Sequence, residues 1–143
     1  MPALSNELAQ RQVLIPPDLM LEVFLKIRGD VPLVGYHLQW SQKVEMFLLR
    51  PGDAFRESAL ARRHLVDLGP PLGEIAVLAP EDLILYKLYH FNISQQQKHT
   101  RDIWAILLAQ QAHLDPLYLD VWVNRLGLQA VWKYMNVPAK SAR

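Results

Sequence analysis

The stretch PEDLILYKLYHF, Pro80 to Phe91, constrains the fold more than any other part of the chain. Proline at a first helical position followed by two acids is the composition of a helix N-terminus: the missing N–H is not needed there, and negative charge meets the positive end of the helix dipole. At about 100° per residue, Leu83, Ile84, Leu88 and Phe91 fall within an arc of roughly 140°, so this helix is expected to bury one side. Lys87 projects close to the centre of that arc, Glu81 lies at its edge, and Asp82, Tyr86 and His90 lie off it. An inward lysine either runs its aliphatic stem along apolar surface to reach water or meets an anion. The first arrangement is the commoner one on composition. The second is a site.

Downstream the pattern stays helical. NISQQQKHT reads as a polar connection, and RDIWAILLAQQ as a helix with Ile103, Ile106, Leu107 and Gln110 on one side and Asp102 beside them in the first turn. LDPLYLDVWVNRLG offers Asp115 as N-cap, Pro116 behind it and Gly127 as the stop. LQAVWKYM makes a last short helix before Pro138, and residues 138–143 are expected to fray. Upstream, strands dominate. RQVLI is a strand candidate stopped by Pro16 and Pro17, and PDLMLEVFLKIRGD has helical spacing through Leu19, Val23 and Ile27 with Gly29 suited to its end. LVGYHLQW and KVEMFLL form a hairpin across the dipeptide SQ, with Lys43 and Glu45 on one face by the strand period of two. DAFRESALARRH is a short amphipathic helix, and LVDLG and EIAVLA are strands on either side of a turn containing Pro70, Pro71 and Gly73. The order predicts an α+β fold, strands first and helices after. It divides into a strand-rich part over 1–79, a helical part over 80–137 and a tail over 138–143.

A chain of 143 residues suffices for a single domain that buries about 70% of its unfolded surface. With 51% hydrophobic and 20% charged residues it has an ordinary globular composition. Absence of cysteine excludes disulfides and thiolate metal sites. MPALSNELAQRQ has no basic region followed by a long apolar run, so no signal peptide is expected, and no apolar stretch approaches the roughly 20 residues of a membrane span. A cytoplasmic protein without membrane contact is the expectation. Net charge is +1, which gives the whole molecule no field to gather nucleic acid, so attraction to phosphates must be local. Two basic concentrations exist, Arg56, Arg62, Arg63 and His64, and Lys87, His90, Lys98, His99 and Arg101, each diluted by acids. Neither a phosphate loop nor GxGxxG occurs, and the five histidines show no ligand spacing. Ser94, His99 and Asp102 could be drawn as a triad, but a serine on a polar connection lacks the strained turn that exposes a nucleophile.

Lys43, Glu45, Lys87 and Asp102 make the more informative set. A strand carboxylate beside a helix lysine can hold a metal-bound triphosphate, the acid ligating Mg²⁺ and the ammonium meeting phosphate oxygens. The same four residues can equally form salt bridges that only fix helices to a sheet.

Taken in order, KVEMFLL, AFRESALARRHLV, AVLAPEDLILYKLYHF, RDIWAIL and LDPLYLDVWVNRLG resemble the small bacterial nucleotidyltransferase-fold proteins related to the AbiEii type of toxin–antitoxin and phage-defence systems. The likeness covers roughly Lys43 to Trp132. It implies a small mixed or antiparallel sheet of the nucleotidyltransferase type followed by a C-terminal set of helices. It further implies that Glu45 matches the third metal-binding carboxylate, that Lys43 precedes it in the same strand motif, that Lys87 contacts nucleotide phosphates and that Asp102 accompanies Lys87. Mg²⁺ and a nucleoside triphosphate are the cofactors so implied. One departure stands out: no Gly-Ser, Gly-Gly, Asp-x-Asp or Asp-x-Glu lies between Met1 and Gln42, so two of the three expected carboxylates are missing. The resemblance therefore implies a degenerate or amino-terminally shortened relative that is non-catalytic and keeps its scaffold for a nucleotide or a partner. Two alternatives stay open. One is an active Mg²⁺-dependent enzyme of the toxin or defence type, with an unusual site or completed by another chain or subunit carrying the missing motif, and a homo-oligomer is open as a partner as well. The other is an interaction module of a toxin–antitoxin pair, with Tyr118, Trp122, Trp132 and Tyr134 as the contact surface or as plain core.

Overall fold

The structure is a computed structural model that describes residues 2–26 and 31–136. The chain forms two compact units, Met1–Gly52 and Asp53–Arg143. The expected helix stop at Gly29 and the expected frayed tail over 138–143 lie outside the described residues.

In the first unit, helix α1 (Pro2–Gln10) leads into strand β1 (Val13–Leu14), helix α2 (Pro17–Leu25), strand β2 (Leu33–His37) and strand β3 (Gln42–Met46). Pro17 opens α2 with Asp18 behind it, and the mostly apolar segment Pro17–Leu25 buries Met20 and Val23. The three strands form an antiparallel sheet in the order β1-β2-β3. In the expected hairpin, Val34 pairs with Glu45 and Tyr36 with Lys43. Its turn is longer than the dipeptide SQ, because β2 ends at His37 and the Trp40 ring stacks on the His37 ring at 4.2 Å. Ile15, Met20, Val23 and Leu33 form the core, with Leu8, Val13, Met46 and Leu48 against it. Gly35 sits where that core is tightest: a Cβ there would lie 2.5 Å from Ile15 Cγ1 and 2.9 Å from the Leu14 carbonyl. Only a residue without a side chain allows β1 so near β2.

The second unit begins with helix α3 (Ala54–Ala61), whose first turn is capped by Asp53 accepting from the Arg56 N–H at 3.0 Å. Strands β4 (His64–Asp67) and β5 (Glu74–Val77) pair antiparallel as a separate two-stranded sheet. Four helices follow, α4 (Pro80–Ser94), α5 (Gln97–Gln110), α6 (Pro116–Arg125) and α7 (Gln129–Asn136). The connection expected over NISQQQKHT is mostly helical. α4 runs on to Ser94 and α5 starts at Gln97, because Gln95 takes a left-handed conformation (φ 55°) that turns the chain within two residues. Asp115 caps α6 as expected, and Gly127 with φ 67° ends it. Helix α4 packs against α5, α6 and α7. Ile84, Leu85, Leu88, Ile103, Leu128 and Met135 are fully buried around it.

The α+β composition expected from the sequence is therefore present, but helices and strands interleave in the first half rather than giving strands first. Among the described residues no helix is long and apolar enough to cross a membrane.

Candidate functional site

The buried side of α4 explains how its charges are placed. Its buried positions are Glu81, Asp82, Ile84, Leu85, Leu88 and Phe91. The arc is thus rotated by about 100° from the one drawn through Leu83. Lys87 lies at its border, with its side chain 24% exposed. Asp82, assigned by spacing to the outer face, is completely buried, and Glu81 retains 5% exposure.

Two carboxylates in the interior require partners, and every oxygen has one. Arg62, just beyond α3, donates through Nη2 to Glu81 Oε2 at 2.8 Å and through Nε to Asp82 Oδ2 at 3.1 Å. The Asp115 N–H donates to Glu81 Oε1 at 2.8 Å. The Tyr118 hydroxyl donates to Asp82 Oδ1 at 2.6 Å and lies 2.9 Å from Ser58 Oγ. The Arg62 guanidinium also covers the Tyr118 ring, 3.7 Å from its centroid, in cation–π geometry. Burial works against the Arg62 charge, but Asp82 and Glu81 outweigh it and raise its pKa. Burial and the bond to Asp82 push the Tyr118 hydroxyl up to about 12. Sequence reasoning missed this network. Its signal was present as paired acids after Pro80 together with Arg62, but the acids were assigned to the helix dipole alone.

This network makes a pH prediction. A tyrosine whose folded pKa lies above its unfolded value near 10 binds its proton more tightly in the folded state. The resulting stability is fully present below pH about 10 and is lost as pH rises towards 12. Thermal unfolding followed from pH 8.5 to 11 is therefore expected to show a steeper loss in the native chain than in Tyr118→Phe, where this titration is absent.

The four residues singled out from the sequence form two pairs, one in each unit. Lys43 and Glu45 share the outer face of β3, as the period of two requires, and form an ion pair with each other. The hydrogen bond and charge of Glu45 raise the Lys43 pKa. In the second unit, Lys87 Nζ donates to Asp102 Oδ2 at 2.5 Å, joining α4 to α5. That bond holds the Asp102 carboxyl below the usual range, with half of its side chain exposed. His90 and His99 stack nearby at 5.9 Å. Burial, then the neighbouring Lys98, His90 and Lys87, lower the His99 pKa, and its buried Nδ1 has no hydrogen-bond partner. The Ser94, His99, Asp102 arrangement does not form a triad: Ser94 sits in the last turn of α4 and donates to the His90 carbonyl at 2.8 Å. Among the aromatic residues of the last helices, Trp122 is buried, Tyr118 belongs to the network, Trp132 packs on the core and Tyr134 is 62% exposed.

Mg²⁺ is the metal the resemblance implies, and the donor set present does not fit it. Glu45 is a single carboxylate already facing an ammonium, and among the described residues no group of three or more His, Asp or Glu could hold a metal ion. Set against family models, curated proteins and solved structures, the chain matches none of them.

Proposed function

We propose that this chain is a nucleotidyltransferase-like protein that does not transfer nucleotides by itself and uses its scaffold to bind a nucleotide or a protein partner. The observation that carries the reading is the pairing of both candidate acids with ammonium groups of their own units, Glu45 with Lys43 and Asp102 with Lys87. Phosphoryl transfer of this kind depends on clustered carboxylates that position metal ions, attacking hydroxyl and leaving group. A carboxylate that already meets a lysine offers a cation little further attraction. The missing Gly-Ser and Asp-x-Asp motifs point the same way. Lys87 can still meet a phosphate, in competition with the half-exposed Asp102. Partner binding draws support from large apolar side chains left outside, with Leu65, Leu72, Leu108 and Leu117 each more than half exposed.

Incubation of the purified chain with Mg²⁺, each labelled nucleoside triphosphate in turn, and protein or RNA acceptors tests this reading. No incorporation above a blank is the expected result. Incorporation that requires Mg²⁺ and disappears in Glu45→Ala would show an active enzyme instead.

A further inference from the structure

Strands β4 and β5 make a sheet of two, with no third strand on either edge among the described residues. Every position of β4 is exposed, and so is most of β5, with Leu65, Val66 and Ile75 among the side chains left outside. A two-stranded sheet without a covered face is marginal in water, and its open edges are templates for another strand. Pairing inside the hairpin fixes which groups the β4 edge offers. The Leu68 N–H donates to the Gly73 carbonyl at 2.9 Å, and from there the alternation turns the backbone groups of Val66 and His64 towards β5. The N–H and C=O of Arg63, Leu65 and Asp67 therefore point away from β5, along the outer edge.

Charge decides what this edge fits. Asp67 stands directly opposite Glu74, a like-charge pair that weakens the hairpin. Arg63, immediately before β4, carries the opposite sign and shares a side of the strand with Leu65 and Asp67 by the period of two. One of its five donors, on Nη1, goes to the Leu60 carbonyl at 2.6 Å. We infer that a second copy of this chain docks on this edge, β4 against β4, antiparallel about a two-fold axis at Leu65. Leu65 then meets the partner's Leu65, and Arg63 meets the partner's Asp67 at both ends of the contact. In a two-fold antiparallel pair only residues of the same orientation oppose each other, which leaves few registers. Centring on Val66 sets Asp67 against leucine, and centring on Asp67 sets two aspartates together. The Leu65 register alone pairs opposite charges and gives Asp67 a cation to offset Glu74. Strand β5 is the poorer edge, because its outward residues are Glu74 and Ala76 with no basic residue beside them. The inference names a second copy as the protein partner of the reading above and rests on that part of it; the strand edge does not depend on the nucleotidyltransferase likeness.

Sedimentation equilibrium of the full chain tests the inference. A reversible dimer of twice the 16.5 kDa chain mass is expected, with Kd on the order of 100 μM or tighter. Arg63→Asp is expected to weaken it at least about fivefold, because acids then face acids at both ends. Combining Arg63→Asp with Asp67→Arg exchanges the signs and is expected to restore the dimer, which a misfolded variant would not do. Leu65→Lys brings two ammonium groups to the axis and is expected to give a monomer, whereas Leu108→Lys, on α5, is expected to leave the dimer intact. A monomer at chain concentrations up to about 1 mM overturns the inference, whether or not the chain incorporates nucleotide. So does a dimer that Leu65→Lys and Arg63→Asp leave unchanged, a dimer that Leu108→Lys dissociates, or a charge exchange that fails to restore association. Association that continues past the dimer, as β4 stacking on β5 would give, overturns it as well.

Discussion

Asp82→Ala is expected to destabilise the unit Asp53–Arg143 by about 3 kcal/mol, among the largest effects of any single polar substitution in it. Removing one partner of a buried ion pair typically costs about 3–5 kcal/mol because the other charge stays behind without compensation. The low end applies, since the Arg62 side chain keeps 32% exposure and can reach water. The Tyr118 hydroxyl loses its acceptor in the same change. In a unit of this size each kcal/mol corresponds to roughly 4–8 °C, so the thermal midpoint is expected to fall by more than about 10 °C. Asp82→Asn distinguishes charge from shape. It keeps an oxygen for one donor but no longer balances Arg62, and is expected to fall between the native chain and Asp82→Ala. A midpoint within a degree or two of the native one in Asp82→Ala would mean that the two contacts of Asp82, with Arg62 and with Tyr118, contribute little.

Leu88→Ala is the second large effect. Leu88 is fully buried in the core with Ile84, Leu85, Ile103 and Met135. Truncation there removes apolar contact and leaves a cavity that rigid helices close only in part, at a cost of about 2–5 kcal/mol. Leu108→Ala serves as its control, because Leu108 is 77% exposed on α5. A surface change of that kind is expected to stay within about 0.5 kcal/mol. Denaturant unfolding of both variants measures the difference. Equal effects would place α4 outside the centre of this unit.

The features of the fold legible in the sequence were those written by local chemistry. Pro80, Asp115 and Gly127 mark helix ends because proline, a capping carboxylate and a left-handed glycine act on their own turn of backbone. The β2–β3 hairpin follows from alternation, which also set Lys43 and Glu45 on one face. Long-range choices were not legible. The period of 3.6 fixes which residues share a side of α4 but not which side turns inward. An arc drawn through Leu83 and not Leu85 puts Lys87 near its centre. The observed orientation buries Leu85 and sets Glu81 and Asp82 against Arg62, 19 residues upstream of Glu81, and Asp82 against Tyr118, 36 residues downstream. No local pattern carries that pairing. The question raised by Lys87 is answered within the unit: at the border of the core its ammonium meets Asp102.

Of the candidate site, the residues were legible and their partners only in part. Lys43 with Glu45 is an i, i+2 strand pair and could be read directly. Lys87 with Asp102 required knowing that α4 and α5 turn within two residues at Gln95, where the polar run NISQQQKHT suggested a loop.

The functional reading rests on Glu45 and Asp102 each meeting a lysine of its own unit and holding no divalent cation. Titration with Mn²⁺, a paramagnetic stand-in for Mg²⁺, followed by amide and side-chain NMR line widths, tests it most directly. Only weak, dispersed broadening over exposed acids is expected up to millimolar Mn²⁺, with Glu45 and Asp102 no different from Glu57 or Asp120. Saturable, localised broadening centred on Glu45 at micromolar Mn²⁺, abolished in Glu45→Ala, would contradict it.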